Sequence, residues 1–173
     1  MAALGEAPLN DGVVQLHRSF LEGLIARMKN DSVRARAAFM SARAEQEKVV
    51  RAQPDYSPPL CVLGLIDAAL GNKEEALREG ARAMELLPVE KDSVDGVLMI
   101  AYSAVIAAWT GNKELACEEL ARATRIPGGV TYGQLKLLPF WDPLRGDPCF
   151  ENIVASLAPR APTQATKLKF PVN

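Results

Sequence analysis

Histidine is nearly absent from this 173-residue chain: His17 is the single one. That excludes a His-based metal cluster and leaves at most one Cys–His pair for nucleophilic chemistry. Three cysteines, Cys61, Cys117 and Cys149, stand far apart and fit neither a metal-ligand spacing nor a paired disulfide framework. Cys61 and Cys117 fall among small apolar residues in helical patterns, so buried thiols are expected. No metal ion and no cofactor is expected. Gly128-Gly129 follows a helical pattern and matches no phosphate-binding fingerprint. The net charge of -1 excludes a general nucleic-acid or anionic-membrane binder. The most apolar run, Val94 to Trp109, is broken by Asp95 and Gly96 and is too short to cross a bilayer, so no membrane insertion is expected. The N-terminus lacks the charged segment and apolar core of a signal peptide.

What the chain does have is apolar content, 49%, enough for a real core, with aromatics at only 6% and abundant alanine. That balance favours closely packed helices over strands. Met1 to Asn10 is small, with Gly and Pro, and is expected to be disordered. Asp11 predicts a cap for a helix through about Lys29, with Val13, Leu16, Phe20, Leu24 and Met28 on one stripe. A turn at Asn30-Asp31 leads to a second helix that overruns to Pro54, with Glu45, Glu47, Lys48 and Arg51 as a solvated face. After the break at Pro54–Pro59, LCVLGLIDAALGNKEEALREGARAMELLP gives two helical patterns joined by Gly71-Asn72 and closed by Pro88. A polar linker follows, with Asp92 or Ser93 as the predicted cap of a helix over 94–109. Gly111-Asn112-Lys113-Glu114 then repeats Gly71-Asn72-Lys73-Glu74, and Pro127 closes the third unit.

The registers agree. Gly23, Gly64 and Ala104 recur at intervals of 41 and 40 residues. Ala35, Phe39 and Ala42 align with Ala76, Gly80 and Ala83, and with Ala116, Leu120 and Ala123. Small residues at these sites are a packing requirement, because a second helix must come close there. Leu60, Leu63, Gly64, Asp67, Ala76, Gly80, Ala83 and Pro88 follow the spacing of a tetratricopeptide repeat, a 34-residue helix hairpin with a W-x2-L-G-x2-Y…A-x3-F…P pattern. The unit resembles that family, departing from it at Leu60 for Trp, Asp67 for Tyr and Gly80 for Phe. The resemblance implies an all-α, right-handed α-α superhelix of about three hairpins, over about 13–54, 57–88 and 94–127, with a cap over 131–157 and a flexible tail over 158–173. The predicted domain spans 11–157.

Leu137, Phe140, Trp141, Leu144 and Phe150 are expected to cover the end of the stack. Asp142, Arg145 and Asp147 put two carboxylates near a guanidinium, which we read as turn and capping chemistry with Arg145 pairing to either Asp. The stretch D-P-L-R-G-D-P-x-F, Asp142 to Phe150, looks like the segment that closes tetratricopeptide modules in multidomain bacterial signalling proteins, where a kinase, cyclase or winged-helix domain accompanies them. This likeness implies a signalling or scaffolding context and no catalytic activity.

In such repeats the concave surface comes from the first helix of each hairpin. By register it comprises His17, Phe20, Leu24, Arg27 and Met28, then Cys61, Leu65, Ala68 and Ala69, then Ala101, Val105, Ala108 and Trp109. The acidic residues of the second helices read as solvated, with Glu74–Arg78 and Glu118–Arg122 as supporting pairs. An apolar groove has three readings: it binds a peptide or helix of a partner protein, it is covered in cis, or it joins two copies as a homodimer. A small hydrophobic-ligand pocket between groove and cap is a further alternative. The expected function is a non-enzymatic protein-protein interaction or scaffold module, cytoplasmic or in a membrane-anchored receptor's soluble domain.

Overall fold

The computed structural model describes residues 9–10 and 14–159. They are mostly helical, and the chain is all-α in class but for one pair of two-residue strands, β1 (Leu9–Asn10) and β2 (Gln15–Leu16), which run antiparallel. Six long helices follow: α1 (Arg18–Met28), α2 (Ser32–Ala52), α3 (Ser57–Leu70), α4 (Lys73–Leu86), α5 (Asp95–Thr110) and α6 (Lys113–Ala123). A short α7 (Tyr132–Leu137), a 3-10 turn (Pro139–Leu144) and α8 (Pro148–Ser156) complete the described residues. The long helices pair as α1/α2, α3/α4 and α5/α6. Successive pairs meet through α2 on α3, α4 on α5 and α3 on α5.

The turns explain the pairing. Gly71 and Gly111 end α3 and α5 with φ of 88° and 86°, a backbone that a side chain would strain. Asn112 then caps α6 by accepting from Leu115 N at 3.2 Å. Asn72, in the same four-residue motif, does not cap α4. Its amide donates instead to Asp67 Oδ1 at 2.6 Å, a carboxylate that the third hairpin replaces with Ala107. Asp92 caps the start of α5, accepting from Val94 N and Asp95 N at 2.9 Å.

The close-approach positions behave as their size requires. A Cβ on Gly64 would sit 2.9 Å from Ile106 Cδ1 and 3.1 Å from the Ala76 carbonyl oxygen. Ala76, Ala83, Ala104, Ala116 and Ala123 are wholly buried. The most apolar helix, α5, is buried on nearly every side, with Val97, Met99, Ile100, Val105 and Ile106 in the interior.

Several expectations are corrected. Helix α1 begins at Arg18, because Gln15–Leu16 pairs with Leu9–Asn10 as strand. Asp11, Val13 and 1–8 lie outside the described residues, as do 160–173 of the tail. The overrun of α2 is not only a solvated face: Gln46 is buried and donates to the Pro59 carbonyl at 2.7 Å, and Glu45 accepts from Ser19 Oγ at 3.0 Å. The surface pairs form one residue closer than expected, as Glu75–Arg78 and Glu119–Arg122.

Cys117 and Cys149 form a disulfide, with Cα atoms 6.3 Å apart, in the usual range for such a bridge. It joins α6 to α8, elements that the spacing in sequence does not bring together. Cys61 is a buried thiol, as expected.

Candidate functional site

The cap decides how much of the predicted groove is surface. Trp141, Leu144 and Phe150 are buried, and the Trp141 and Phe150 rings stack 6.3 Å apart. Leu137 is 81% exposed and takes no part in covering. Arg145 ties the 3-10 turn to α7: its Nε donates to Asp142 Oδ1 at 2.8 Å, and its terminal nitrogens donate to the carbonyls of Leu135, Lys136 and Leu138. Asp147 caps α8, accepting from Cys149 N at 3.0 Å. The Asp-Pro loop is thus turn chemistry.

This cap lays the 3-10 turn along α5, and β2 lies against α3. Trp109 Nε1 donates to the Phe140 carbonyl at 2.8 Å, with the two rings 5.7 Å apart. Of the predicted groove residues, Phe20, Cys61, Leu65, Val105, Ala68 and Ala108 are buried and cannot touch a partner without rearrangement. His17 stands at the start of α1 with Nδ1 3.6 Å from Glu45, away from the cleft described next.

Four of the others come together at one edge, where α1 and α5 both end. Leu24, Arg27, Met28 and Trp109, with Asn30, Pro139, Asp142 and Pro143, line a cleft of about 270 Å³. The Arg27 guanidinium lies 4.3 Å over the Trp109 ring, a cation–π contact. Burial in the cleft lowers the Arg27 pKa, and Asp142 opposes that shift. Met28 is 64% exposed at the rim. Ala69 belongs to a neighbouring pocket of about 450 Å³ that shares Arg27 and Asn30 and adds Ser32, Ala35, Arg36 and Phe39. Its two guanidinium groups have no carboxylate among the lining residues. Ala101 and Val105 belong elsewhere, to a smaller cavity of about 120 Å³ between α5 and the cap.

The sequence marks Asn30 and Pro143 only as turn residues and does not mark Arg36 or Pro139; the cap's path over α5 brings Pro139 and Pro143 to the end of α1, and no motif encodes that. Asp142 was visible as a charge but not as the wall of a cleft.

A second polar cluster lies between hairpins. Asp67, fully buried on α3, accepts from Arg43 Nε of α2 at 2.7 Å and from Asn72. Arg43 also pairs with Glu47. The hydrogen bond to Asp67 raises the Arg43 pKa, which keeps the cation fixed. Glu79 of α4 faces the same carboxylate. Burial, and then Asp67 itself, push its pKa up to about 8, so it is largely neutral at pH 7. The chemistry here is that of a tie between helices.

Among the described residues, no group of three or more His, Cys, Asp or Glu side chains is placed to hold a metal, and no helix is long and apolar enough to cross a membrane. No protein-family model matches this chain, and neither does any curated protein or solved structure.

Proposed function

We propose that this chain is a non-enzymatic interaction module of tetratricopeptide-like hairpins in a right-handed superhelix, docking a peptide or helix of a partner protein in a signalling assembly. The packing of α2 on α3, α4 on α5 and α3 on α5 supports the repeat reading. The observation that carries the docking reading is Arg27 stacked on Trp109 between exposed Met28 and the Asp142-Pro143 wall. This edge offers apolar area next to two guanidinium groups. The partner that suits it is a segment with an apolar anchor followed by a carboxylate: the anchor lies against Met28, Trp109 and the prolines, and the carboxylate pairs with Arg27 or Arg36.

The test is selection of displayed peptides on the purified chain, followed by titration calorimetry. Acidic-apolar peptides are expected to bind saturably and to lose at least tenfold in affinity to Arg27→Glu, with the helical circular dichroism of the variant retained. Selected peptides indifferent to Arg27→Glu would overturn the reading.

Self-association is the second reading. Val33, 81% exposed, and Met40, 56% exposed, stand two turns apart on one face of α2. Light scattering on the wild type and on Val33→Asp with Met40→Asp separates the two: a dimer converted to a folded monomer assigns that face to the homodimer. Disulfides persist in oxidising compartments, so the Cys117–Cys149 bridge favours the soluble domain of a membrane-anchored receptor over the cytoplasm.

A further inference from the structure

Arginines elsewhere on these helices lie against carboxylates, as Arg18 does with Glu22, Arg78 with Glu75 and Arg122 with Glu119. The turn between α1 and α2 is different. Arg27, Lys29, Arg34 and Arg36 stand there with Asp31 as the one carboxylate, a local charge of +3 in a chain of net charge -1. Asp31 is committed to capping α2, accepting from Arg34 N at 3.0 Å, and it lines a separate pocket with Lys29 and Arg34.

Arg27 and Arg36 therefore share the pocket of about 450 Å³ with no anion of the chain's own. Asn30 and Ser32 add polar groups to it, and Ala35, Phe39 and Ala69 form its apolar side. Among the described residues, no hydrogen bond or ion pair engages the side chains of Asn30, Ser32 or Arg36. Arg27 is held against the Trp109 ring and partly out of water, burial lowering its pKa against the pull of Asp142. A cation in that setting is screened less than one in bulk solvent.

The number of open donors selects the anion. A carboxylate answers one guanidinium as a fork and leaves the other donors over. A phosphate monoester carries about −1.5 to −2 charges at neutral pH and presents three terminal oxygens. Those oxygens suffice for both guanidinium groups, with a hydroxyl or an amide besides.

We propose that this pocket receives a phosphorylated side chain of the docked partner, with Arg27 and Arg36 clamping the phosphate and Ser32 and Asn30 completing its shell. The inference rests on the docking reading and adds that phosphorylation of the partner regulates the contact. The two pockets share Arg27 and Asn30, so the phosphorylated residue and the apolar anchor stand about two positions apart, ~7 Å along an extended peptide. The Asp142 wall beside Arg27 selects against a continuous polyanion such as single-stranded nucleic acid.

The experiment titrates the whole chain with capped five-residue peptides by calorimetry. Phosphoserine stands two positions before leucine in one peptide and two after it in another, and each has counterparts with glutamate or serine at that place. Inorganic phosphate is the probe that needs no anchor, read from the arginine Nε–H signals by ¹H–¹⁵N correlation with acetate as control. One phosphoserine peptide is expected to bind about tenfold more tightly than its glutamate counterpart, the gain that added charge-assisted hydrogen bonds supply. Arg36→Gln is expected to shrink that ratio to about threefold or less, and Arg36→Lys, which keeps the charge without the planar fork, to recover part of it. Phosphate should shift the Arg27 and Arg36 signals saturably where acetate at the same concentration does not. Equal affinities for the phosphoserine and glutamate peptides overturn this inference and leave the docking reading standing, as does a preference that Arg36→Gln leaves unchanged. Binding of none of the peptides removes both, and a saturable phosphate shift would then mark a free phosphorylated molecule as the ligand. Tighter binding of a single-stranded oligonucleotide or of anionic vesicles than of any phosphopeptide, abolished by Arg36→Gln, would assign the two arginines to a polyanion and overturn the proposal.

Discussion

In the first hairpin the ring of Phe39 lies 2.7 Å from where a Cβ on Gly23 would stand, so α2 fills the hollow in α1 with its own side chain. The second hairpin has Gly64 in place of Gly23 and Gly80 in place of Phe39. Ile106, from the third hairpin, enters that hollow, with Cδ1 2.9 Å from the Cβ position of Gly64 and 3.1 Å from that of Gly80. The polar register differs in the same direction. Where the first hairpin has Ala26 and Ala38, the second has Asp67 and Glu79, and the cation that answers them is Arg43 of the first. One hairpin is complete in itself, and the other is completed by both neighbours. A repeat can therefore depart from its own pattern when the adjoining unit supplies what it lacks.

That contrast can be broken at its strongest point. Phe39→Ala should cost about 3–5 kcal/mol in denaturant melts, with faster hydrogen exchange concentrated in α1 and α2. Ile106→Ala should cost about 2–5 kcal/mol, but with protection lost in α3 and α4 as well as α5. If exchange after Ile106→Ala rises only within α5 and α6, the second hairpin does not depend on its neighbour. Gly80→Phe gives the second hairpin the residue that the first has at Phe39 and should overpack by about 1–3 kcal/mol, because Ile106 already occupies the place. Combined with Ile106→Ala it should recover part of that loss, a coupling of about 0.5–3 kcal/mol in a double-mutant cycle.

The last arm of the contrast is electrostatic. The folded pKa of Glu79 is raised, from 4.5 to about 8, so the folded state binds the extra proton. Its contribution is full below about pH 4.5 and is lost as pH rises through about 8. Stability measured at pH 5 and pH 8.5 should therefore fall more steeply for the wild type than for Glu79→Gln. Equal slopes would remove the electrostatic half of the contrast.

The hairpins were legible because their signals are local. Gly71 and Gly111 have the backbone their turns require, and the Ala and Gly positions are set by how near two helices approach. Trp141, Leu144 and Phe150 were readable as a cover because they are large and apolar beside two Asp-Pro turns. The disulfide was not legible, since Cys117 and Cys149 are brought together only by the fold of α8 onto α6. Arg43 shows the limit most clearly. It stands four positions before Glu47, the spacing of a one-turn pair, which forms, while its bond to buried Asp67 depends on how α2 packs on α3. For the candidate site, Leu24, Arg27, Met28 and Trp109 were found by register. The burial of Phe20, Leu65 and Val105 was not, because periodicity marks a helix face but not what lies over it.

The bridge between α6 and α8 also has a mechanical consequence. Cys117 and Cys149 are 32 positions apart, so a pull applied beyond α8 passes from one sulfur to the other without loading the chain between them. About 105–115 Å of extended contour is withheld from stretching for as long as the bond lasts, at the ~3.3–3.6 Å that each residue spans. Under tension the oxidised chain should lengthen in a first set of steps that omits this segment. A reductant should release it as one additional step of that size, which makes the end of α6 and the cap a reserve of length under redox control.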